Sequence, residues 1–466
     1  MENIGLDPSG AVGDCCCTFA AADDLNVRVL HPTLTELVAT PFFRYFKVDT
    51  SCDCPFWENE GMCAVKDCSV CECPEEEVPS PWRQGLRRGA KADAEGGCDS
   101  GHTAEVQATG HASRTLSALS DADAALEPGF AGWDEAADNP WTAENEADES
   151  ANLQKRYYNL LLNPERFTGY AGPSAAKVWA AIYDENCFLE AGEGVPEDLA
   201  GEGECVERRV FYRLISGMHA SISAHIAAEY PLRYDGAEVA EWGGNADEFF
   251  WKLGNHPRRV ENLYFAYLFV LRAATKAAAL LPPSAFHTGN VTADATTAAL
   301  VARFVENEEL LSACPTPFDE ATLWVDDAGG ALREQLRARF SNISAAMDCV
   351  GCEKCKVWGK LQVLGLASAL KILFAEEDVS APGALKLQRN EVIALFNTLE
   401  RFSESVMITR DFLRERYEGD YVEGDAGALE LSAVSGVVHP TKGPGWLSAK
   451  ERASNARPAF MSRNEL

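Results

Sequence analysis

Basic residues are scarce. The chain of 466 residues carries 41 Lys plus Arg against 72 Asp plus Glu, a formal net charge of −31. A chain this acidic repels phosphate backbones and anionic lipid, which argues against nucleic-acid binding and against a polybasic membrane anchor. Long apolar runs are missing as well. The best candidate, Leu263 to Leu271, is followed by Arg272 and Lys276 and falls short of the roughly 20 residues that cross a bilayer. Strand alternation and Asn-Gly hairpins are almost absent. No Gly-x-Gly-x-x-Gly follows a strand, and Gly192-Glu-Gly194 and Gly201-Glu-Gly203 lack the third glycine, which argues against a Rossmann nucleotide site. The start, Met1-Glu-Asn-Ile-Gly-Leu-Asp-Pro8, has neither the basic flank nor the apolar centre of a signal peptide.

Cysteine is what the chain has in quantity, with 16 in all and ten between Cys15 and Cys98. Cysteine at this density points to disulfides, metal sites or redox chemistry. Two sequons, Asn290-Val-Thr292 and Asn342-Ile-Ser344, and a C-terminal Arg463-Asn464-Glu465-Leu466 that resembles an ER-retrieval tetrapeptide favour a secretory compartment. With those signals present, a segment missing ahead of Met1 is the expectation.

The composition divides the chain into four parts. Residues 1–85 are cysteine-dense and hold one helical pattern, Thr33 to Phe46, which Pro41 kinks or splits. Residues 86–150 form an acidic insert with few apolar anchors (Phe130, Trp133 and Trp141), which reads as disordered. Fourteen acids against two bases between 89 and 150 account for −12 of the total charge, so no acidic functional surface need be invoked. Residues 151–420 read as helices, with apolar spacing over Ser174–Glu185, Phe211–Tyr230, Arg258–Leu281, Val357–Ala375 and Asn390–Ser405. Residues 421–466 read as a tail. Hydrophobic residues make up 46%, enough for a sizeable core, and the fold class is mainly α.

Two cysteine groups carry the chemistry. Cys349-Val-Gly-Cys352-Glu-Lys-Cys355 stands directly before an apolar helical run. Cysteines three apart share a helical face, a helix N-terminus stabilises a thiolate, and Lys354 and Lys356 add positive charge. That pattern suits a redox pair; half a zinc site and structural disulfides are the alternatives. The second group is Cys52-Asp-Cys54-Pro-Phe-Trp, then Cys63, Cys68, Cys71 and Cys73 among prolines and acids. A pair such as Cys63 and Cys68 on an irregular segment suits a disulfide meant for exchange; a static clip or a zinc knuckle is the bland reading. Together the groups suggest a relay, and a relay needs a terminal acceptor. A flavin held by aromatic and Arg contacts inside a helical bundle would serve.

Longer stretches narrow the choice. Cys54-Pro-Phe-Trp57, Arg166-Phe-Thr-Gly-Tyr170, Glu185-Asn-Cys-Phe188, Ser216-Gly-Met-His-Ala-Ser-Ile222, Asn262-Leu-Tyr-Phe265, Cys349 to Gln362 and Arg389-Asn-Glu-Val392 resemble the ER oxidoreductin family, flavin-dependent sulfhydryl oxidases of the endoplasmic reticulum. The likeness covers most of 15–80 and 155–410, and the Cys15-Cys16-Cys17 and Cys68-Ser-Val-Cys71-Glu-Cys73 runs look like the plant and protist branch. The resemblance implies a single helical domain enclosing FAD. It implies that Cys352 and Cys355 form the active-site pair, and that Cys63 and Cys68 are the shuttle pair that takes electrons from protein disulfide isomerase. It implies structural bridges Cys54–Cys349 and Cys187–Cys205. It implies flavin contacts at Arg166, Thr168, Trp179, Ser216, His219, Arg259 and Arg272. Molecular oxygen would be reduced to hydrogen peroxide by a monomer lying peripherally on the lumenal face of the ER membrane.

Each contact also has a plainer reading. A Trp at helical spacing is more often core, and His219 beside Ile215 and Ile222 would be a satisfied core histidine. Arg259 and Arg272, thirteen residues apart, point roughly 140° apart on one straight helix. The sequence also departs from the family. Cys15 and Cys17 lack their upstream partners. Cys16, Cys52 and Cys71 are extra, with a Cys16–Cys52 bridge as one pairing. Cys71 and Cys73 are competitors for the shuttle, Cys98 matches no regulatory motif, and Cys314 reads as a free thiol. Two rival functions remain: a zinc-binding module using Cys63, Cys68, Cys71 and Cys73, and a degenerate oxidase that only holds the isomerase.

Overall fold

Local sequence sets most of the helix boundaries. In this computed structural model, residues 1–13, 17–58, 68–83, 130, 132–135, 138–142, 154–165, 173–186, 206–235, 238–306, 323–324, 327–375 and 385–418 are described. Helix α1, Phe19–Leu25, starts where the Thr18 side chain accepts the Ala21 N–H. A wide turn, Asn26–Leu30, joins it to α2, His31–Val38. The helix expected from Thr33 to Phe46 therefore stops early. Pro41 has no N–H to continue the ladder, and Tyr45–Val48 instead form strand β1, paired antiparallel with β2, Arg156–Asn159. That pairing, Tyr45 opposite Asn159 through Val48 opposite Arg156, is a long-range contact that local propensity does not reveal.

Downstream come α3, Pro173–Asn186, and α4, Val206–Ala228, which ends ahead of Pro231. An antiparallel hairpin follows, β3, Tyr230–Asp235, and β4, Glu238–Gly243. The sequence does hold its signal: Asp235-Gly236, a hairpin dipeptide, lies between two alternating runs. Next are α5, Pro257–Leu280, α6, Val291–Glu306, α7, Asp327–Ala346, α8, Glu353–Leu373, and α9, Arg389–Glu418. Asn290 caps α6 by accepting the Ala293 N–H. Glu391 reaches back from the first turn of α9 to the Gln388 N–H.

The fold is mainly α, as expected. Helix α5 is long and apolar enough to cross a membrane, but α4, α8 and α9 pack around it and most of its length is buried. Leu263 through Leu271 are all in the core. Each large apolar side chain there contributes about 1.5–3 kcal/mol by leaving water. Two glycines make the packing possible. A Cβ on Gly217 would collide with the Asn262 carbonyl, where α4 meets α5, and one on Gly365 would collide with Thr398, where α8 meets α9.

One stretch of the acidic insert departs from its expected disorder. Trp141 is 1% exposed, the Trp133 Nε1 donates to the Ala285 carbonyl at 3.2 Å, and Asn139 donates to Glu391 at 2.8 Å. The sparse aromatic anchors are enough to seat residues 130, 132–135 and 138–142 on the core. The described residues belong to one compact unit, residues 1–99 with 116–420. The rest of the insert and the tail 421–466, with Arg463–Leu466, lie outside the described residues.

Candidate active site

The loop before α8 is short, and its cysteines are fixed in turn. Cys349 closes a tight turn, Met347–Cys349, and is bonded to Cys54, 295 residues away in sequence. Cys352 is the N-cap of α8, and its sulfur takes the place of the usual hydroxyl, accepting the Cys355 N–H at 3.4 Å. The Cys355 Sγ lies 2.8 Å from the Cys352 Sγ, hydrogen-bond contact between two thiols. The Cys355 amide, one of the first-turn donors that a helix leaves unsatisfied, is thus spent on the Cys352 sulfur. Both cysteines are 0% exposed. No dithiol on another protein reaches them without an intermediary.

One of the two expected helper charges, Lys356, acts elsewhere, as does Lys360 one turn on. The Lys356 Nζ donates to the carbonyls of Thr50 and Cys52, and the Lys360 Nζ donates to the Asp49 carbonyl and pairs with Asp348 at 2.7 Å. These lysines tie the 49–52 segment to α8, beside the Cys54–Cys349 bond. Replacing Cys54 and Cys349 together by Ala is expected to lower stability by about 2–4 kcal/mol, read from urea unfolding. The lysine clamps persist in that variant, so the loss stays below the long-loop limit.

The second cysteine group lies against the same helix. Cys68 is only 6% exposed, and Cys68 and Cys71 are both disulfide-bonded. That removes two of the four thiolates the zinc reading required. Cys73 is a free thiol that burial pushes up to about 12, so it is no competitor for exchange. Cys52 is an exposed free thiol, so the Cys16–Cys52 bridge is not formed. Burial pushes its pKa up to about 11, and its thiol donates to Asp49. The Val70 N–H donates to Glu353 at 3.1 Å, and the Cys71 N–H donates to the Asn163 side chain at 2.7 Å. Asn163 returns a bond to the Cys71 carbonyl, and its own carbonyl accepts the Trp358 Nε1.

A separate aromatic cluster faces α3 and α4. The rings of Trp179 and His219 stack with centroids 3.9 Å apart, and the Tyr183 hydroxyl is 2.6 Å from His219 Nδ1. Ser216, one turn before His219, accepts from Asn262 on α5. Burial, with the Arg259 and Lys252 charges, depresses the His219 pKa to about 3, so the ring is neutral near pH 7. Asn186 lies on the same stripe of α3 as Trp179 and is 2% exposed, with neither amide atom hydrogen-bonded. Arg259 donates to the Lys252 carbonyl, and Arg272 is partly buried thirteen residues further along α5. Four expected contacts thus share one neighbourhood, Trp179, Ser216, His219 and Arg259. Sequence reasoning missed Tyr183, Asn186, Asn262, Asn163 and Glu353. Four of these five sit inside or beside motifs already quoted, and Tyr183 one helical turn from Trp179.

The neutral His219 has a testable consequence. An unfolded histidine takes its proton near pH 6.5, the folded one near 3, so its contribution is intact above 6.5 and is lost as the pH falls through that window. Asp23 acts in the opposite sense. Burial raises its carboxyl to about 6, partly offset by the Tyr264 hydroxyl, and its contribution is lost as the pH rises from 4 through 6. His219→Phe is therefore expected to flatten the acid loss of the urea midpoint between pH 6.5 and 4.

Cys63, Arg166, Thr168, Cys187, Cys205, Cys15, Cys16, Cys98 and Cys314 lie outside the described residues. Of the sequons, Asn290 is exposed, and Asn342 is exposed with its amide donating to Glu185.

A sequence model of endoplasmic reticulum oxidoreductin 1 (ERO1) matches residues 29–409. The chain belongs to the ERO1 family. It is 47% identical over 404 residues to endoplasmic reticulum oxidoreductin-1 of Arabidopsis thaliana, covering 86% of this chain and 79% of that one. It is 37% identical over 436 residues to human ERO1-like protein alpha, covering 87% and 90%. Its fold is similar to a solved structure of Ero1p, described as the source of disulfide bonds for oxidative protein folding in the cell. That likeness has a TM-score of 0.55 at 26% identity, covering 86% of this chain and 98% of that one. The ERO1 family places the chain among thiol oxidoreductases of oxidative folding in the endoplasmic reticulum, with a plant-like affinity.

Proposed function

We propose that the chain is an FAD-dependent thiol oxidase that makes disulfides de novo and passes them to a protein disulfide isomerase. The observation that carries this reading is a pair of cysteines, Cys352 and Cys355, in sulfur contact at a helix N-terminus with no exposure to solvent. Such a pair is reachable only through a second couple, and Cys63–Cys68 supplies it. A reduced isomerase attacks that disulfide and leaves oxidised, so the two shuttle sulfurs become thiols. One shuttle thiolate then attacks the oxidised active-site pair, a sulfur of that pair leaves with the electron pair, and the second shuttle thiol closes the shuttle bond again.

The residues present fit a flavin. The stacked Trp179–His219 face offers a ring surface, Ser216 and neutral His219 offer hydrogen bonds, and Arg259 offers positive charge for a pyrophosphate. The two unpartnered atoms of buried Asn186 leave a donor and an acceptor for a ligand on that side of α3. Arg166, Thr168 and Arg272 complete the set by family resemblance. When bound, FAD supplies the two-electron acceptor for the thiols and passes the electrons to oxygen, with hydrogen peroxide as product. The relay works in the ER lumen, peripheral to the membrane, as a monomer that carries glycans on Asn290 and Asn342.

The test is direct. The purified protein is expected to be yellow and to consume oxygen only when a reduced isomerase is present. A colourless, folded preparation without oxygen uptake would sink the reading. The degenerate-oxidase alternative predicts colour and isomerase binding without turnover.

A further inference from the structure

We propose that Glu353 and Asn163 are positioning residues that dock the Cys68–Cys71 segment on the N-terminus of α8 and so set Cys68 against Cys352. This rests on the relay reading and adds to it the residues that make the inner transfer fast.

Three contacts carry the inference, and each joins segments far apart in sequence. The Glu353 carboxylate, at the first position of α8 and next to Cys352, accepts the Val70 N–H at 3.1 Å. The Asn163 amide grips Cys71 from both sides, accepting its N–H at 2.7 Å and donating to its carbonyl at 2.9 Å. The Asn163 carbonyl is in turn held by Trp358, three residues past Cys355. Both clamps thus end on the first turns of α8, one inside the active-site pair at Glu353 and one three residues past it at Trp358. Asn163 is 0% exposed, and a second bond from its amide to the Asn159 carbonyl fixes its rotamer. One further contact extends the docking: the Cys73 N–H donates to the Tyr157 carbonyl on β2.

The chemistry explains why position matters here. In the inner transfer the Cys68 thiolate attacks the Cys352 sulfur. The S68–S352 bond forms, the S352–S355 bond breaks, and the electron pair departs on Cys355. That step is intramolecular, and its rate scales with the effective concentration of one sulfur at the other. Glu353 and Asn163 touch neither reacting sulfur in that step; they restrict the backbone on which Cys68 rides.

The experiment measures that effective concentration without relying on flavin or oxygen. In a Cys63→Ala, Cys355→Ala background of the full chain, Cys68 and Cys352 are left to pair. Equilibration with glutathione disulfide turns the two thiols into one disulfide and releases two glutathiones, and non-reducing peptide mapping reads the fraction cross-linked. Glu353→Ala and Asn163→Ala are each expected to lower the effective concentration about tenfold, the scale of one lost hydrogen bond of this kind. Glu353→Gln keeps an accepting oxygen and is expected to stay within about twofold of the background. Hydrogen exchange at the Val70 amide is expected to speed up in Glu353→Ala and not in Glu353→Gln. Equal values in all variants, or an equal loss in Gln and Ala, overturn the docking role. No Cys68–Cys352 disulfide even in the background would overturn the relay itself.

Discussion

Replacing Cys355 by Ala is expected to lower isomerase-driven oxygen uptake by about a thousandfold or more, while the protein stays yellow and folded. The reasoning is stoichiometric. Making a disulfide removes two electrons from two sulfurs, and neither Cys52 nor Cys73 is fit to replace Cys355. Cys52 is exposed, but its thiol, pushed up to about 11, holds its proton at pH 7. Cys73, pushed up to about 12 by burial, does the same. Cys54 and Cys349 are already bonded to each other. The Cys52→Ala, Cys73→Ala double variant is accordingly expected to turn over within about twofold of the parent. Undiminished peroxide output from Cys355→Ala or Cys352→Ala would end the relay, and retained flavin colour separates lost chemistry from lost fold.

That expectation draws on features legible in the sequence to very different degrees. The three-residue spacing of Cys352 and Cys355 and the apolar run behind them marked a helix start with a cysteine pair, and both are found there. The spacing could not show that the pair is sealed from solvent, because the segments that close on the start of α8, residues 49–54 and Asn163, are remote in sequence. Helices with regular apolar spacing were legible to within a few residues. α9 ran thirteen residues beyond its expected end, since its later turns carry charges outward and apolar groups inward. Strand β1 was hidden, because Tyr45–Val48 extend only through their pairing with Arg156–Asn159. The lysines illustrate a different limit. Composition correctly placed positive charge beside the thiols, yet Lys356 spends it on the Thr50 and Cys52 carbonyls. Which acceptor a flexible ammonium finds is decided by the fold.

Arg401→Met is expected to lower stability by about 3–5 kcal/mol, the largest loss from a single substitution outside the cysteines. Arg401 forms an ion pair with Glu165, whose side chain is 0% exposed, and its guanidinium lies 4.5 Å above the Trp358 ring. Gln362 donates a further bond to the same carboxylate at 3.2 Å. Burial lowers the Arg401 pKa to about 10, still far above neutrality, so the guanidinium is charged in the folded state. Removing the arginine leaves a carboxylate buried with one neutral donor, and the desolvation it suffered on folding is no longer offset. Changing both partners, Arg401→Met with Glu165→Gln, removes the stranded charge and is expected to recover most of the loss. The pair also adjoins the proposed site. Glu165 leads into Arg166, and Trp358 holds the Asn163 that clamps Cys71. Urea midpoints followed by near-ultraviolet dichroism and by flavin fluorescence should therefore fall together in the single variant. A single variant within about 1 kcal/mol of the parent would show that the Gln362 donor alone is enough to hold the Glu165 carboxylate.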